Sequence, residues 1–164
     1  MITLYHGSNV EISCIDLSLC KPGKDFGKGF YLNPNYSQAF DMAKKTTRIT
    51  RAGSEIVSAF EFDDIYAGER TDIKIKVFPE YSIEWAEFVV ANRKNNSQHP
   101  IHNYDIVIGP IADDSVGTQI RRYIEGYLPV EELVEELRFH GDKAIQYFFG
   151  TENALKLLIR KQNE

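Results

Sequence analysis

Cysteines are scarce in this chain, and their positions argue against a zinc site and against a disulfide framework. Cys14 and Cys20 are its two cysteines, and they form no CxxC motif. Structural zinc sites use closely spaced cysteine or histidine pairs, and small disulfide-stabilised domains use about four or more cysteines. We therefore expect both cysteines to be reduced, in a cytoplasmic protein.

The chain also lacks an excess of positive charge and long apolar runs. Its net charge of −5 argues against broad, non-specific nucleic-acid binding, which depends on neutralising phosphates. No apolar run approaches the roughly 18 residues that a membrane-spanning helix needs. Residues 1–6, MITLYH, lack the basic and apolar regions of a signal peptide. We expect neither a signal peptide nor a membrane partner.

Aromatic residues, in contrast, are abundant. Nine Tyr, ten Phe and one Trp make up 12% of the 164 residues, and apolar residues make up 43%. A chain of this size and composition can bury a core of its own. Because repeats, low-complexity tracts and linker-like stretches are absent from the sequence, we expect a single domain over residues 1–164.

Hydrophobic periodicity divides the chain into strands and helices. Strands are predicted at 2–5, 30–32, 55–63, 73–78, 104–109 and 145–149. Helices are predicted at 34–48, 83–91, 115–125, from 129 onward and at 152–160. Loops are predicted at 10–19, 63–72 and 92–103, the first with one helical turn. These elements do not alternate regularly, which predicts the α+β class.

Capping residues predict where several helices begin. Asn33 is a candidate N-cap for the first helix, with Pro34 at its first position. An apolar face of this helix is predicted from residues at helical spacing, Tyr36, Ala39, Phe40 and Ala43. Further N-caps are predicted at Ser82, the Asp113–Asp114 pair and Thr151.

Residues 24–32, KDFGKGFYL, combine two glycines with an aromatic strand. Gly27 and Gly29 allow a sharp turn or the close approach of a ligand, and a helix start follows directly. This arrangement suits a planar, phosphate-bearing ligand. A glycine-rich hairpin turn produces the same pattern, and short glycine motifs match by chance, so this stretch alone leaves both interpretations open.

Several polar residues lie at predicted strand ends. His6 follows the first strand and can bond a sugar hydroxyl, although a histidine in a turn is often simply hydrogen-bonded there. Gln146 begins the last strand and Glu152 follows it, and either side chain can hold a ribose hydroxyl. The remaining histidines lack the spacing of metal ligands, so no metal is expected; they are His99, His102 and His140.

Two motifs together resemble the NAD-binding core of ADP-ribosyltransferases. Residues 4–8 read LYHGS, residues 27–32 read GKGFYL, and a helix with SQA at 37–39 follows. The diphtheria-toxin and poly(ADP-ribose) polymerase class carries a His on its first strand and a Tyr after a Gly-x-Gly turn. Nearly the whole chain also resembles a family of small bacterial proteins, catalogued as a domain of unknown function and related to these transferases. The segments that carry this second resemblance are 82–85, 105–110 and 146–155.

The resemblance implies a split antiparallel β-sheet with flanking helices, and a site that takes NAD as substrate without a metal. His6 would bond a ribose hydroxyl, the Gly7 backbone would hold the nicotinamide carboxamide, and Tyr31 would stack on the nicotinamide ring. Phe40 would supply the opposite face of that ring. The other residues of the two motifs predicted to contact NAD are Ser8 and Gly29.

The third catalytic position of the class, usually Glu, falls on Gln146 in this chain. A Glu stabilises the positive sugar that forms as nicotinamide leaves, whereas Gln keeps the hydrogen bond and lacks the charge. The implied catalytic set is His6, Tyr31 and Gln146, with Glu152 as the alternative third residue if the strand register is shifted. The missing charge favours a single transfer over chain elongation.

Three functions follow as hypotheses. The first is a mono-ADP-ribosyltransferase acting on a protein or nucleic acid, and this is compatible with the toxin of a toxin–antitoxin pair, whose partner is an antitoxin protein. The second is an inactive module that binds NAD or ADP-ribose without turnover. The third is an NAD-dependent RNA phosphotransferase, which the acidic balance disfavours because that chemistry needs a basic phosphate pocket.

Overall fold

A computed structural model describes residues 1–138 and 144–162, and within them it contains seven strands and six α-helices. The strands are β1 (Ile2–Ser8), β2 (Phe30–Leu32), β3 (Ile56–Phe62), β4 (Ile75–Val77), β5 (Ile106–Pro110), β6 (Ile145–Phe149) and β7 (Leu158–Arg160). The helices are α1 (Tyr36–Thr50), α2 (Asp64–Glu69), α3 (Ile83–Lys94), α4 (Asp114–Ile124), α5 (Val130–Arg138) and α6 (Glu152–Leu155). A 3-10 turn at Leu17–Leu19 lies within the predicted 10–19 loop. The predicted α+β class is confirmed.

The strands form two sheets that meet at one edge. The first sheet has the order β1-β3-β7 and is antiparallel. The second has the order β2-β6-β5-β4 and is antiparallel except between β5 and β4. An isolated bridge joins β1 to the end of β2, with the N–H of Tyr5 and of Asn33 each 2.8 Å from the other residue's carbonyl oxygen.

Two apolar cores cover the two faces of the four-stranded sheet. The core on the helix side includes Trp85 and Phe148, which are 0% and 2% exposed. The core between the two sheets includes Leu4, Phe62 and Phe149. Phe148 and Phe149 enter different cores because consecutive strand residues point to opposite faces. Each buried aromatic ring of this kind contributes about 1.5–3 kcal/mol.

Helix α1 begins two residues later than the sequence predicts. Asn35 is the N-cap, and its Oδ1 accepts from the backbone N–H groups of Ser37 and Gln38. Asn33 does not cap the helix because its backbone forms the bridge to Tyr5 and its Oδ1 accepts from the N–H of Asn35.

The predicted apolar face of α1 is only half buried. Ala39 and Ala43 are buried, whereas Tyr36 and Phe40 are 55% and 37% exposed. The helix lies so close to β1 that a Cβ on Gly7 would stand 1.7 Å from the Ala39 carbonyl oxygen. Small residues fit at this contact, and the larger rings project beyond it.

The stretch predicted as a loop at 63–72 contains helix α2. Asp63 caps this helix by accepting from the N–H of Tyr66 at 3.0 Å, and Ala67 is buried beneath it. Helix α2 has six residues, which is too short for a helical period to stand out in a sequence.

The segment predicted as a helix at 152–160 remains helical only as far as Leu155. β7 follows and pairs with β3, with Arg160 opposite Phe60. The Arg160 Nε donates to the carbonyl of Ile12 at 2.9 Å. Tertiary contacts along a sheet edge thus override a helical sequence pattern.

Smaller corrections concern element ends. β1 continues to Ser8, so His6 and Gly7 are strand residues rather than turn residues, and α3 extends to Lys94. The predicted N-caps that the structure confirms are Ser82, Asp113 and Thr151.

Candidate functional site

The candidate site lies where β1 and β2 separate beyond the Tyr5–Asn33 bridge. Peptide groups of alternate strand residues point the same way, so those of Gly7, like those of Tyr5, point away from β3 and toward β2. Gly7 is buried, and among the described residues the pairing of β1 with β2 stops at the isolated Tyr5–Asn33 bridge, before it reaches Gly7. Buried peptide groups are nearly always paired, and the N–H and C=O of Gly7 face an opening in which a ligand can pair with them. We call this opening, bounded by His6, Gly7 and Tyr31, the β1–β2 gap.

The His6 ring borders the gap in a defined tautomer. Its Nδ1 lies 2.8 Å from the carbonyl oxygen of Tyr31. Because a carbonyl only accepts, Nδ1 carries the proton and Nε2 keeps its lone pair. Burial lowers the pKa of His6 below its ordinary 6.5, and the hydrogen bond to Tyr31 opposes this shift without cancelling it. The imidazole is therefore neutral at pH 7, and Nε2 can accept from a hydroxyl group.

The remaining residues of the first motif have separate structural explanations. Gly7 must be glycine because a Cβ would strike the backbone of α1 at Ala39. Ser8 ends β1, and its hydroxyl lies 3.5 Å from the Asn9 Oδ1. The absence of a side chain on Gly7 thus serves helix packing, while its peptide groups face the gap.

Tyr31 uses its hydroxyl to hold the glycine loop. That oxygen accepts from the N–H of Phe26 at 2.9 Å and donates to the carbonyl of Gly27 at 2.7 Å. Its ring meets Phe148 edge-on, with centroids 5.3 Å apart. Burial raises the pKa of Tyr31 well above its ordinary value, so the hydroxyl stays protonated.

The two glycines before Tyr31 do different things. Gly27 has φ +98°, a turn conformation that favours glycine. Gly29 lies against β6, where a Cβ would stand 2.2 Å from the Phe148 ring and 2.7 Å from the Phe149 carbonyl. Packing accounts for a glycine at position 29, which the resemblance to ADP-ribosyltransferases predicts to contact NAD.

Gln146 is the second residue of β6 and is half-buried. Its Nε2 donates to the Asp25 Oδ2 at 3.0 Å and lies 3.5 Å from the carbonyl of Pro110. The alternative third residue, Glu152, is exposed in the first turn of α6.

Phe40 lies on the outer surface of α1. Its ring is stacked with Tyr36 at 6.3 Å, and the Lys44 ammonium lies 5.2 Å from the Phe40 centroid. Tyr36 in turn meets Tyr5 edge-on at 5.4 Å. This ladder of rings is on the α1 face of β1, opposite the face that carries His6.

His6 and Tyr31 touch through a backbone carbonyl, but their rings lie on opposite faces of the four-stranded sheet. His6 stacks on Phe30, in the core between the sheets, at 4.4 Å. Tyr31 packs with Phe148 on the helix side, and Gln146, two residues before Phe148, shares that side. The structure thus brings His6 to the Tyr31 backbone and places Gln146 across the sheet.

Two surface depressions lie near these residues. A groove of about 480 Å³ has Lys28, His102 and Phe148 in its lining. A second depression, of about 460 Å³, lies over the Tyr5–Asn33 bridge. Within the described chain neither is lined by a residue of the predicted catalytic set.

Sequence reasoning missed the residues that hold Gln146. Asp25 lies within the glycine stretch, but its partners Arg93 and Gln146 are 68 and 121 residues away. A separation of this length leaves no local pattern from which the contact could be read.

Metal and membrane features can be assessed for residues 1–138 and 144–162. In these ranges no group of three or more His, Cys, Asp or Glu side chains could hold a metal ion, and Cys14 and Cys20 are both free. No helix in these ranges is long and apolar enough to cross a membrane. His140, the remaining histidine considered as a ligand, lies outside the described residues.

Comparison with known proteins gives one match. No curated protein and no solved structure matches the chain. A family model described as "Protein of unknown function (DUF3990)" matches residues 2–159, which is nearly the whole chain. The chain therefore belongs to the DUF3990 family.

Proposed function

We propose that this protein is an NAD-dependent mono-ADP-ribosyltransferase, which transfers ADP-ribose from NAD to a macromolecular target and releases nicotinamide. The observation that carries the proposal is the β1–β2 gap, where strand pairing ends before the buried Gly7 and the His6 Nε2 offers a lone pair. The Gly7 peptide pairs with the nicotinamide carboxamide, and His6 accepts from a ribose hydroxyl. The two sheets, joined at one bridge, support a split-sheet fold of the ADP-ribosyltransferase kind.

The residues act by holding NAD while one bond breaks and another forms. The bond between C1′ and the nicotinamide nitrogen breaks, and its electron pair leaves with nicotinamide. A nucleophile of the bound target then forms a bond to C1′ and releases its proton to solvent, and its positioning supplies much of the rate. Gln146 is proposed to reach this sugar from the helix side of the sheet, where its amide oxygen is a hydrogen-bond acceptor that stabilises the positive charge less than a carboxylate does.

Labelled NAD and a cell lysate test the enzyme directly. The wild type should label a macromolecule. His6→Ala should abolish labelling because the gap loses its acceptor, and Tyr31→Ala should abolish it because the glycine loop loses the hydroxyl that holds it. His99→Ala, at an exposed histidine, is the matched control and should label normally. If Tyr31→Ala is unstable, Tyr31→Phe replaces it in the assay, because this variant keeps the ring and removes only the hydroxyl. Equal labelling by wild type and folded His6→Ala would overturn the assignment.

One observation favours a second candidate, an NAD-binding module without turnover. Position 146 carries no charge, and its Nε2 is already bonded to Asp25. Calorimetric binding of NAD by a protein that neither hydrolyses NAD nor labels a lysate identifies the module. Release of nicotinamide by the wild type excludes it.

Growth of a bacterial host tests the proposed role as the toxin of a toxin–antitoxin pair. Induced expression of the wild type should arrest growth, and His6→Ala should relieve the arrest at equal protein levels. Normal growth with the wild type contradicts the toxin role and leaves the transfer reaction to the labelling assay.

A further inference from the structure

Asp25 is the centre of a compact polar cluster behind the glycine loop. Its Oδ1 lies 2.8 Å from both Nε and Nη2 of Arg93. Its Oδ2 accepts from the Gln146 Nε2 at 3.0 Å and from the N–H of Ala112 at 3.3 Å. The Asp25 side chain is 13% exposed. Three hydrogen bonds and the ion-pair contact with the Arg93 guanidinium thus surround a carboxylate that has about four acceptor sites.

The cluster fixes the orientation of the Gln146 amide. An amide can usually be turned over, because its nitrogen and oxygen have similar shapes. At this position both neighbours of the amide, the Asp25 carboxylate and the Pro110 carbonyl, are acceptors. Only the nitrogen can face them, so Oε1 points away from the cluster.

We propose that Asp25 is a positioning residue for Gln146, which it orients so that Oε1 is presented to a substrate hydroxyl as a neutral acceptor. This rests on the proposed ADP-ribosyl transfer, in which that hydroxyl belongs to the ribose of NAD. It also explains why glutamine stands where the class carries glutamate. A second carboxylate about 3 Å from Asp25 would repel it unless one of the two took up a proton.

The pairing can be tested by exchanging the two functional groups. Gln146→Glu places two carboxylates together beside one guanidinium, Arg93. The double variant Asp25→Asn/Gln146→Glu restores one amide and one carboxylate in reversed positions. Gln98→Glu adds the same charge at an exposed position and is the matched control.

Thermal unfolding against pH provides a readout that does not require activity. In Gln146→Glu the repulsion between the two carboxylates raises the pKa of the pair. The folded state therefore binds more protons than the unfolded state. Its melting temperature should therefore fall as pH rises from about 5 to 7, and the double variant should lose this fall. A Gln146→Glu profile that matches Gln98→Glu overturns the pairing.

Kinetics test whether the pairing positions Gln146 for the reaction. Asp25→Asn should lower kcat more than it changes KM for NAD, because the misoriented amide is needed most as nicotinamide leaves, and the double variant should recover part of kcat. A uniform loss that tracks unfolding in both variants overturns the positioning role. If the wild type shows no transfer, the proposed function fails, while the pH profiles still decide whether Asp25 and Gln146 are paired.

Discussion

The β1–β2 gap and the Asp25 cluster both contain polar groups, but they use them in opposite ways. The Asp25 carboxylate accepts three hydrogen bonds and lies against the Arg93 guanidinium. In the gap the His6 Nε2 has no hydrogen-bond partner among the described residues, and the Gly7 peptide lies beyond the Tyr5–Asn33 bridge at which the pairing of β1 with β2 ends. The gap therefore presents polar groups that a ligand can still bind.

This difference separates the roles of the two regions by physical criteria. A satisfied cluster stabilises the fold and fixes geometry, because each donor and acceptor is already used. Polar groups without a protein partner gain the most binding free energy from a ligand that supplies the missing hydrogen bonds. On this ground His6 and Gly7 in the gap are proposed to bind the ligand, and the Asp25 cluster is proposed to fix the Gln146 amide and to support the glycine loop.

The largest expected effect comes from Gly7, whose peptide borders the gap while its Cα lies against helix α1. Gly7→Ala would put a Cβ 1.7 Å from the Ala39 carbonyl, so α1 must move and stability should fall by about 3 kcal/mol or more. Gly68→Ala is the control, because a Cβ there meets no atom within 4 Å; alanine in helix α2 should be neutral or stabilising. Urea unfolding measures both. Equal stability of the two variants would show that β1 and α1 are not packed so closely.

Removal of the Asp25 carboxylate should have the next largest effect. Asp25→Ala leaves Arg93 with the Ala112 carbonyl at 3.4 Å and the Gln146 amide with the Pro110 carbonyl at 3.5 Å. The loss of the buried carboxylate should cost about 2–3 kcal/mol, because these long contacts replace its charged hydrogen bonds poorly. Asp72→Ala breaks the exposed pair with Arg70 and should leave stability unchanged. Chemical denaturation compares them, and a change in Asp25→Ala as small as that in Asp72→Ala contradicts a satisfied, supporting cluster.

These two effects show what could be anticipated from the sequence. The strands at 30–32 and 145–149 were predictable because apolar runs are bounded by breakers, and N-caps such as Ser82 follow local chemistry. The single-residue contact of Gly7 with α1 and the long-range pair of Asp25 with Gln146 depend on tertiary packing. No local sequence pattern predicts these two contacts. The motifs predicted that His6 is a site residue, but not which of its ring nitrogens carries the proton.

Protonation of His6 should produce a smaller, pH-dependent effect. Because burial lowers its pKa in the folded state, the unfolded chain binds more protons at low pH. The contribution of neutral His6 to the free energy of unfolding should therefore be fully present above about pH 6.5, and it should be lost as pH drops below that value. His6→Gln should flatten this fall, and His99→Gln, at an exposed position, should not. Unfolding curves at pH 7.5 and 5.5 give the comparison, and an unchanged slope in His6→Gln contradicts a buried neutral imidazole.

The smallest expected effect concerns Lys28, which lines the neighbouring groove rather than the gap. Lys28→Ala should leave the affinity for NAD unchanged, since NAD is proposed to bind at His6 and Gly7. Titration calorimetry measures the affinity. A large loss in this variant would move the binding site from the gap to the groove.

The binding of NAD in the β1–β2 gap can be tested most directly by following the Gly7 amide with nuclear magnetic resonance while NAD is added. If the gap binds nicotinamide, the Gly7 N–H resonance shifts and becomes protected from hydrogen exchange, and the His6 ring signals shift with it. Saturating NAD that leaves Gly7 and His6 unchanged, or that shifts only residues of the groove at Lys28, contradicts binding in the gap.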